Sequence, residues 1–138
     1  MSVTYSIDAD QKIIRTRCVG KVTYQEVTDH LRTLACDSEC PDRLDVLLDV
    51  REMSSLPEGT ELWAFGHELS KLREKVKFEI CAIVAPSDAL FGMMRAFEVI
   101  SQDYFHAICV FRVASAAEEW LETQRSLIDS DQSYRAQP

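Results

Sequence analysis

Residues 45–50 read Asp45-Val46-Leu47-Leu48-Asp49-Val50, and residues 79–84 read Glu79-Ile80-Cys81-Ala82-Ile83-Val84. Each is a short, nearly unbroken apolar run closed by polar residues. A strand with one wet face alternates apolar and polar, whereas a continuous run suits a strand covered on both faces, as parallel sheets require. Between the two runs, Leu62, Phe65, Leu69, Leu72 and Val76 recur three and four apart, the spacing of one helix face. Strand, helix, strand in that order predicts parallel neighbours joined by a right-handed crossover.

The same reading extends outward. Residues 3–7 and 12–19 alternate around Asp8-Ala9-Asp10-Gln11, which predicts a leading β-hairpin that ends at Gly20. Thr23-Tyr24-Gln25-Glu26 fits a capping box, with Val22 and Val27 placed as a hydrophobic staple. Tyr24, Val27, Leu31, Leu34 and Ala35 then mark a first helix ending near Cys36. A loop is expected from Arg51 to Ser55, and Ser55-Leu56-Pro57-Glu58 is a second capping box with Pro57 inside the first turn of the next helix. Pro86-Ser87-Asp88 supplies a turn and cap for a third helix striped by Leu90, Met93, Met94, Phe97 and Ile100. Residues 107–112 form the last strand, and Ser115-Ala116-Ala117-Glu118 is a third capping box leading into Glu119-Trp120-Leu121. The expected architecture is α/β, a mixed five-stranded sheet with four helices in the order ββαβαβαβα. It occupies residues 1–123, followed by a polar tail over 124–138 that frays. No linker, repeat or low-complexity block divides the chain.

Composition excludes several classes of function. The chain has 138 residues and is 46% hydrophobic, enough for one core without metals or disulfides. The formal net charge is -8. Lys71, Arg73, Lys75 and Lys77 form the longest basic stretch, and Glu74 and Glu79 interrupt it. Nucleic acid and anionic membranes are therefore not expected partners. The first residues lack a basic region followed by an apolar run, so no signal peptide is expected, and no apolar stretch approaches the length of a membrane span. The five cysteines (Cys18, Cys36, Cys40, Cys81 and Cys109) are odd in number and irregularly spaced, which suits reduced thiols and a cytoplasmic location.

Strong catalytic signatures are missing. Only four glycines occur, none in a phosphate-binding loop, and His67-Glu68 has no second histidine at helical spacing. Cys36 and Cys40 supply two of the four ligands that a structural zinc site needs. His30, His67 and His106 lie on separate elements, each expected on a solvated helix face or strand end. No catalytic residue, metal or cofactor is expected. Candidate binding residues come from position instead. Asp49 closes a buried strand at its carboxyl end, where ligands of open α/β sheets gather. Arg51, Ser54 and Ser55 follow it, and Ser87 and Asp88 follow the next strand. Parallel neighbours would bring these loops to one rim, although Asp49 could equally accept loop amides and Ser55 and Asp88 could serve as caps. Trp63 falls off the apolar stripe of its helix, beside His67 and Ser70, which points either to an interface or to packing at the core margin. Phe91 and Arg95 pose the same alternatives.

Several segments together resemble the SpoIIAA-like family of the STAS superfamily, which includes anti-sigma-factor-antagonist domains. They are Gly20-Lys21-Val22-Thr23-Tyr24-Gln25-Glu26, Leu47-Leu48-Asp49-Val50-Arg51, Phe91-Gly92-Met93-Met94-Arg95-Ala96-Phe97, Val110-Phe111-Arg112 and Ala117-Glu118-Glu119-Trp120-Leu121. The resemblance covers residues 3 to about 122. It implies a mixed sheet with packed helices and non-catalytic work: docking to proteins, sometimes sensing a ligand or nucleotide. Anti-sigma antagonists carry an Asp-Ser-Ser-Gly-like motif after the third strand, whose serine is phosphorylated. Here Met53-Ser54-Ser55-Leu56-Pro57-Glu58-Gly59-Thr60 departs from that motif. The expectation is a protein-interaction or regulatory module that forms a homodimer. The alternative is a carrier of a small apolar or lipid-like ligand, with Phe91, Met93, Met94 and Phe97 lining a plastic pocket.

Overall fold

The computed structural model describes residues 2–136, with side chains through residue 130. Strand β1 (Val3–Asp8) pairs antiparallel with β2 (Ile13–Gly20), from Val3 opposite Cys18 to Asp8 opposite Ile13. Strands β3 (Arg43–Met53), β4 (Lys77–Val84) and β5 (Ala107–Phe111) then add one after another, all parallel to β2, so the sheet order is β1-β2-β3-β4-β5. Helices α1 (Tyr24–Ala35), α2 (Gly59–Leu72) and α3 (Asp88–Ser101) connect the parallel strands, and α4 (Ala114–Ala136) follows β5. The expected mixed five-stranded α/β architecture with four helices is what the chain adopts.

The layering follows from the strand order. Three right-handed crossovers that step the same way across a sheet leave their helices on one face. Leu31 and Leu34 of α1, Leu62 and Leu69 of α2, and Leu90, Met94 and Phe97 of α3 accordingly share one apolar cluster with Ile14, Cys18, Val50, Cys81 and Ile83 of the sheet. Helix α4 covers the other face, packing Ala117 and Leu121 against Ile13, Leu47, Ile80, Ala82 and Val84. Side chains alternate between faces along a strand, so β4 meets a helix layer on each side, and its unbroken apolar run has that cause. Ile14, Leu34, Leu44, Ile83 and Leu121 are fully buried, each worth about 1.5–3 kcal/mol of burial free energy.

Element ends depart from the local reading in four places. Strand β3 runs on to Met53 because Glu52 and Met53 pair with Val19 and Gly20 of β2; Arg51 therefore lies in a strand and not in a loop. Helix α2 begins at Gly59 with Glu58 as its cap residue, whose amide donates to the Glu61 carboxylate at 3.0 Å. Pro57 precedes the helix, and Ser55 does not cap it, because its hydroxyl is engaged elsewhere. Helix α4 begins at Ala114, so Ser115 sits inside its first turn, and Glu118 pairs with Arg15 of β2. The helix also continues through the segment from Gln124 that reads as a polar tail: Arg125 pairs with Asp45 at 2.9 Å and reaches the Gln11 carbonyl, and Ile128 packs against the apolar cluster between α4 and the sheet. The Thr23 capping box is present as expected, with the Glu26 amide donating to Thr23 Oγ1 at 3.2 Å and the Thr23 amide to Glu26 Oε1 at 3.2 Å.

Candidate functional site

Because β2 to β5 are parallel, their carboxyl ends lie along one edge, as the sequence predicts. The candidate residues there form three separate groups. Asp49 and Arg51 lie on the α4 side of β3, in step with Leu47. The Asp49 carboxylate accepts the Arg51 amide at 3.0 Å and a forked guanidinium bond, with Nε at 3.0 Å and Nη2 at 2.8 Å. These bonds from Arg51 hold the Asp49 carboxyl below its ordinary range, against the upward push of burial. Each side chain thus satisfies the other.

The second group joins the loop before α2 to the loop before α1. The Ser54 amide donates to the Gly20 carbonyl at 2.9 Å, where Gly20 takes a left-handed φ of 70°. Ser55 Oγ accepts the Val22 amide at 3.0 Å and donates to the Val22 carbonyl at 3.3 Å. Ser55 is thus a latch between two loops. The third group closes β4 and β5. Ser87 caps α3, accepting the Leu90 amide at 3.2 Å, and the exposed Asp88 carboxylate pairs with Arg112 at 2.6 Å. The Arg112 guanidinium also lies 4.4 Å from the centroid of the Phe91 ring, and Arg95 pairs with Glu98 at 3.1 Å. Trp63 stands apart from all three on α2, 68% exposed.

Beneath the layer of α1, α2 and α3 lies a cavity whose lining overlaps only in part the pocket expected around Phe91, Met93, Met94 and Phe97. This cavity, of about 150 Å³, separates the sheet from α1 and α2. Its walls are almost wholly apolar, including Leu31, Leu34, Val46, Leu48, Leu62 and Phe65. Val46 and Leu48 point at a helix layer from a central strand, yet both are only half-buried, because the cavity holds the helices off them. Among its lining residues only Thr23 is exposed, and Tyr24, Pro57 and Glu61 beside it are half-buried. The mouth is therefore at the carboxyl edge, between the two loops that Ser55 ties together. Met94 and Phe97 line the inner wall, whereas Phe91 and Met93 do not.

Away from the mouth, two side chains bearing oxygen or nitrogen, Thr16 and His30, face this apolar space. Thr16 is 5% exposed, and His30 is half-buried, contrary to the solvated helix face expected for it. Thr16 is the cross-strand partner of Tyr5, whose ring centroid lies 5.0 Å from that of His30. Burial pushes the His30 imidazole below its ordinary value, which favours the neutral ring. The five cysteine thiols are free, and burial pushes Cys18 up to about 11 and Cys81 higher still. Among the described residues no three His, Cys, Asp or Glu side chains are grouped to hold a metal ion, and no helix is long and apolar enough to cross a membrane.

No family model and no curated protein matches the sequence. Solved structures do match. An uncharacterised DUF3478-family protein with a SpoIIAA-like fold from Shewanella loihica superposes with a TM-score of 0.54 at 20% identity, over 86% of this chain and 91% of that one. This chain has a SpoIIAA-like fold. A second structure, an anti-sigma factor antagonist from Mycobacterium paratuberculosis, superposes with a TM-score of 0.50 at 14% identity, over 88% of this chain and 95% of that one. In this SpoIIAA-like fold the stretch from Met53 to Thr60 spans the end of β3, the Ser55 latch and the start of α2. At these identities both structures speak to architecture alone.

Proposed function

We propose that the chain is a non-catalytic protein-interaction module of regulatory kind, working in the cytoplasm and self-associating through the outer face of α2. The observation that carries this reading is Trp63. A tryptophan 68% exposed on a helix leaves a large amphipathic ring in water, and such rings are the anchors that interfaces favour. The anti-sigma factor antagonist of the same fold supports the regulatory reading. Ser54 and Ser55, in the loop leading into that helix, are proposed to flank the contact, and Asp49, Arg51, Ser87 and Asp88 to form its polar surroundings along the edge. Sedimentation equilibrium tests this. The unaltered chain is expected to be a dimer and Trp63→Glu a monomer with unchanged far-ultraviolet circular dichroism. A chain that stays monomeric at every concentration, or a Trp63→Glu variant that still dimerises, contradicts the reading.

A second reading, a carrier of a small apolar ligand, is favoured by the cavity between the sheet and α1 and α2. Apolar concavities with a few placed polar groups are the usual form of small-molecule sites. Native mass spectrometry of the purified chain is expected to show added mass that is lost on denaturation.

A further inference from the structure

The cavity's size, charge and polar groups together narrow what it can hold. Its volume of about 150 Å³ is that of a dry internal cavity known to take a single benzene, about 150 Å³, and falls short of the roughly 300–1,000 Å³ of sites for larger ligands. A long acyl chain would leave most of its length outside that volume. No Lys or Arg lines the walls, Glu61 stands at the mouth, and the whole chain carries a net charge of -8. An anionic head group would be repelled on approach and left unpaired inside.

The polar groups gather on the side of the cavity toward β1, one on the sheet and one on α1. Thr16 and Tyr5 are opposite each other on β2 and β1, and His30 of α1 lies over the Tyr5 ring. The Tyr5 hydroxyl is already engaged, donating to Asp37 at 2.7 Å. The Thr16 hydroxyl and His30 imidazole carry no hydrogen bond among the described residues, and neither is sealed off from the cavity. A hydroxyl and a neutral imidazole can each both donate and accept. A guest with a hydroxyl of its own can therefore satisfy either of them in either sense.

We propose that this cavity is a binding site for a compact, neutral, mostly apolar molecule of about the size of a substituted benzene ring, its one hydroxyl turned toward Thr16 and His30. This assignment rests on the carrier reading above and gives it a ligand class. The guest enters between the loop before α1 and the loop before α2, past the Ser55–Val22 latch.

Isothermal titration of the full chain at neutral pH with phenol, benzene, benzoate and palmitate tests the assignment. Phenol is expected to bind, benzene about fivefold more weakly for want of one hydrogen bond, and benzoate and palmitate not measurably. Thr16→Val keeps the shape and removes the hydroxyl. It is expected to weaken phenol about fivefold while leaving benzene unchanged, which a merely structural role would not do. If that variant does not fold, His30→Leu carries the same comparison. Equal affinity for phenol and benzene, or benzoate binding as tightly as phenol, overturns the proposal. Palmitate binding in preference to phenol also overturns it, yet leaves the carrier reading standing. Failure of every probe removes both.

Discussion

Tyr5 and Asp37 show what a single hydrogen bond does at the two ends of the pH scale. The Tyr5 hydroxyl donates to Asp37 Oδ2 at 2.7 Å. That bond, followed by burial, holds the Tyr5 phenol up at about 12, and the same bond is the first cause that holds the Asp37 carboxyl below its ordinary value. The tyrosine's contribution to stability is complete below its unfolded value of 10.0 and is lost as pH rises through about 12. The aspartate's contribution is present above the ordinary carboxylate range and is lost as pH falls through its depressed folded value. Phenolate absorbance is expected to show a tyrosine titrating near 12 that is absent in Tyr5→Phe. Urea midpoints of that variant should fall less steeply than those of the unaltered chain at both alkaline and acid extremes. Trp63 makes a second point at this scale. Its position off the apolar stripe is visible in the heptad-like spacing of its helix, but exposure depends on how far that helix is rolled against α1 and α3, which spacing does not specify.

At the scale of elements, a threonine and a serine of similar local context do different things. Thr23 caps α1, so Thr23→Ala is expected to cost about 1 kcal/mol in urea unfolding and to fray the start of that helix in amide exchange. Ser55→Ala is expected to cost about 1 kcal/mol with the first turn of α2 as protected as before, because Ser55 bonds Val22 and Glu58 stands at the helix start. Loss of protection at residues 59–62 in that variant would contradict the latch. Gly66 marks where α2 approaches α3: a Cβ there would come 3.1 Å from Ile100 Cγ2. Gly66→Val adds more than a Cβ and is expected to cost about 1–3 kcal/mol by overpacking. The hairpin, the apolar runs and the Thr23 box are legible in the chain because each depends on neighbours within a few residues. Ser55 and Glu118 are misread for the opposite reason: their partners Val22 and Arg15 are 33 and 103 residues away. The cavity leaves little local trace. Most residues around it read as core, and an unfilled volume is a property of how α1, α2 and the sheet meet. His30 was its one visible sign, a polar residue on the same helix as Leu31 and Leu34, and spacing alone assigned it to water.

At the scale of the whole molecule, α4 is what closes the second face. A chain ended after residue 123 loses the Arg125 bonds to Asp45 and Gln11 and the packing of Ile128. Asp45, half-buried and pushed upward mainly by burial, would lose its arginine partner. The shortened chain is expected to be less stable by about 1–3 kcal/mol in urea, and an unchanged midpoint would show that the helix beyond Gln124 adds nothing to the fold.

The strand order has a consequence for how the molecule is made. No strand is threaded between two that have already paired: β3 joins the open edge left by β2, β4 the edge left by β3, and β5 the edge left by β4. A ribosome releasing this chain from its amino end therefore delivers each strand at the moment when the edge it belongs to is waiting. Residues 77–84 need nothing still unmade in order to dock. The back of the sheet alone stays wet until α4 emerges, so that helix acts as the lid on an assembly of strands otherwise finished in order.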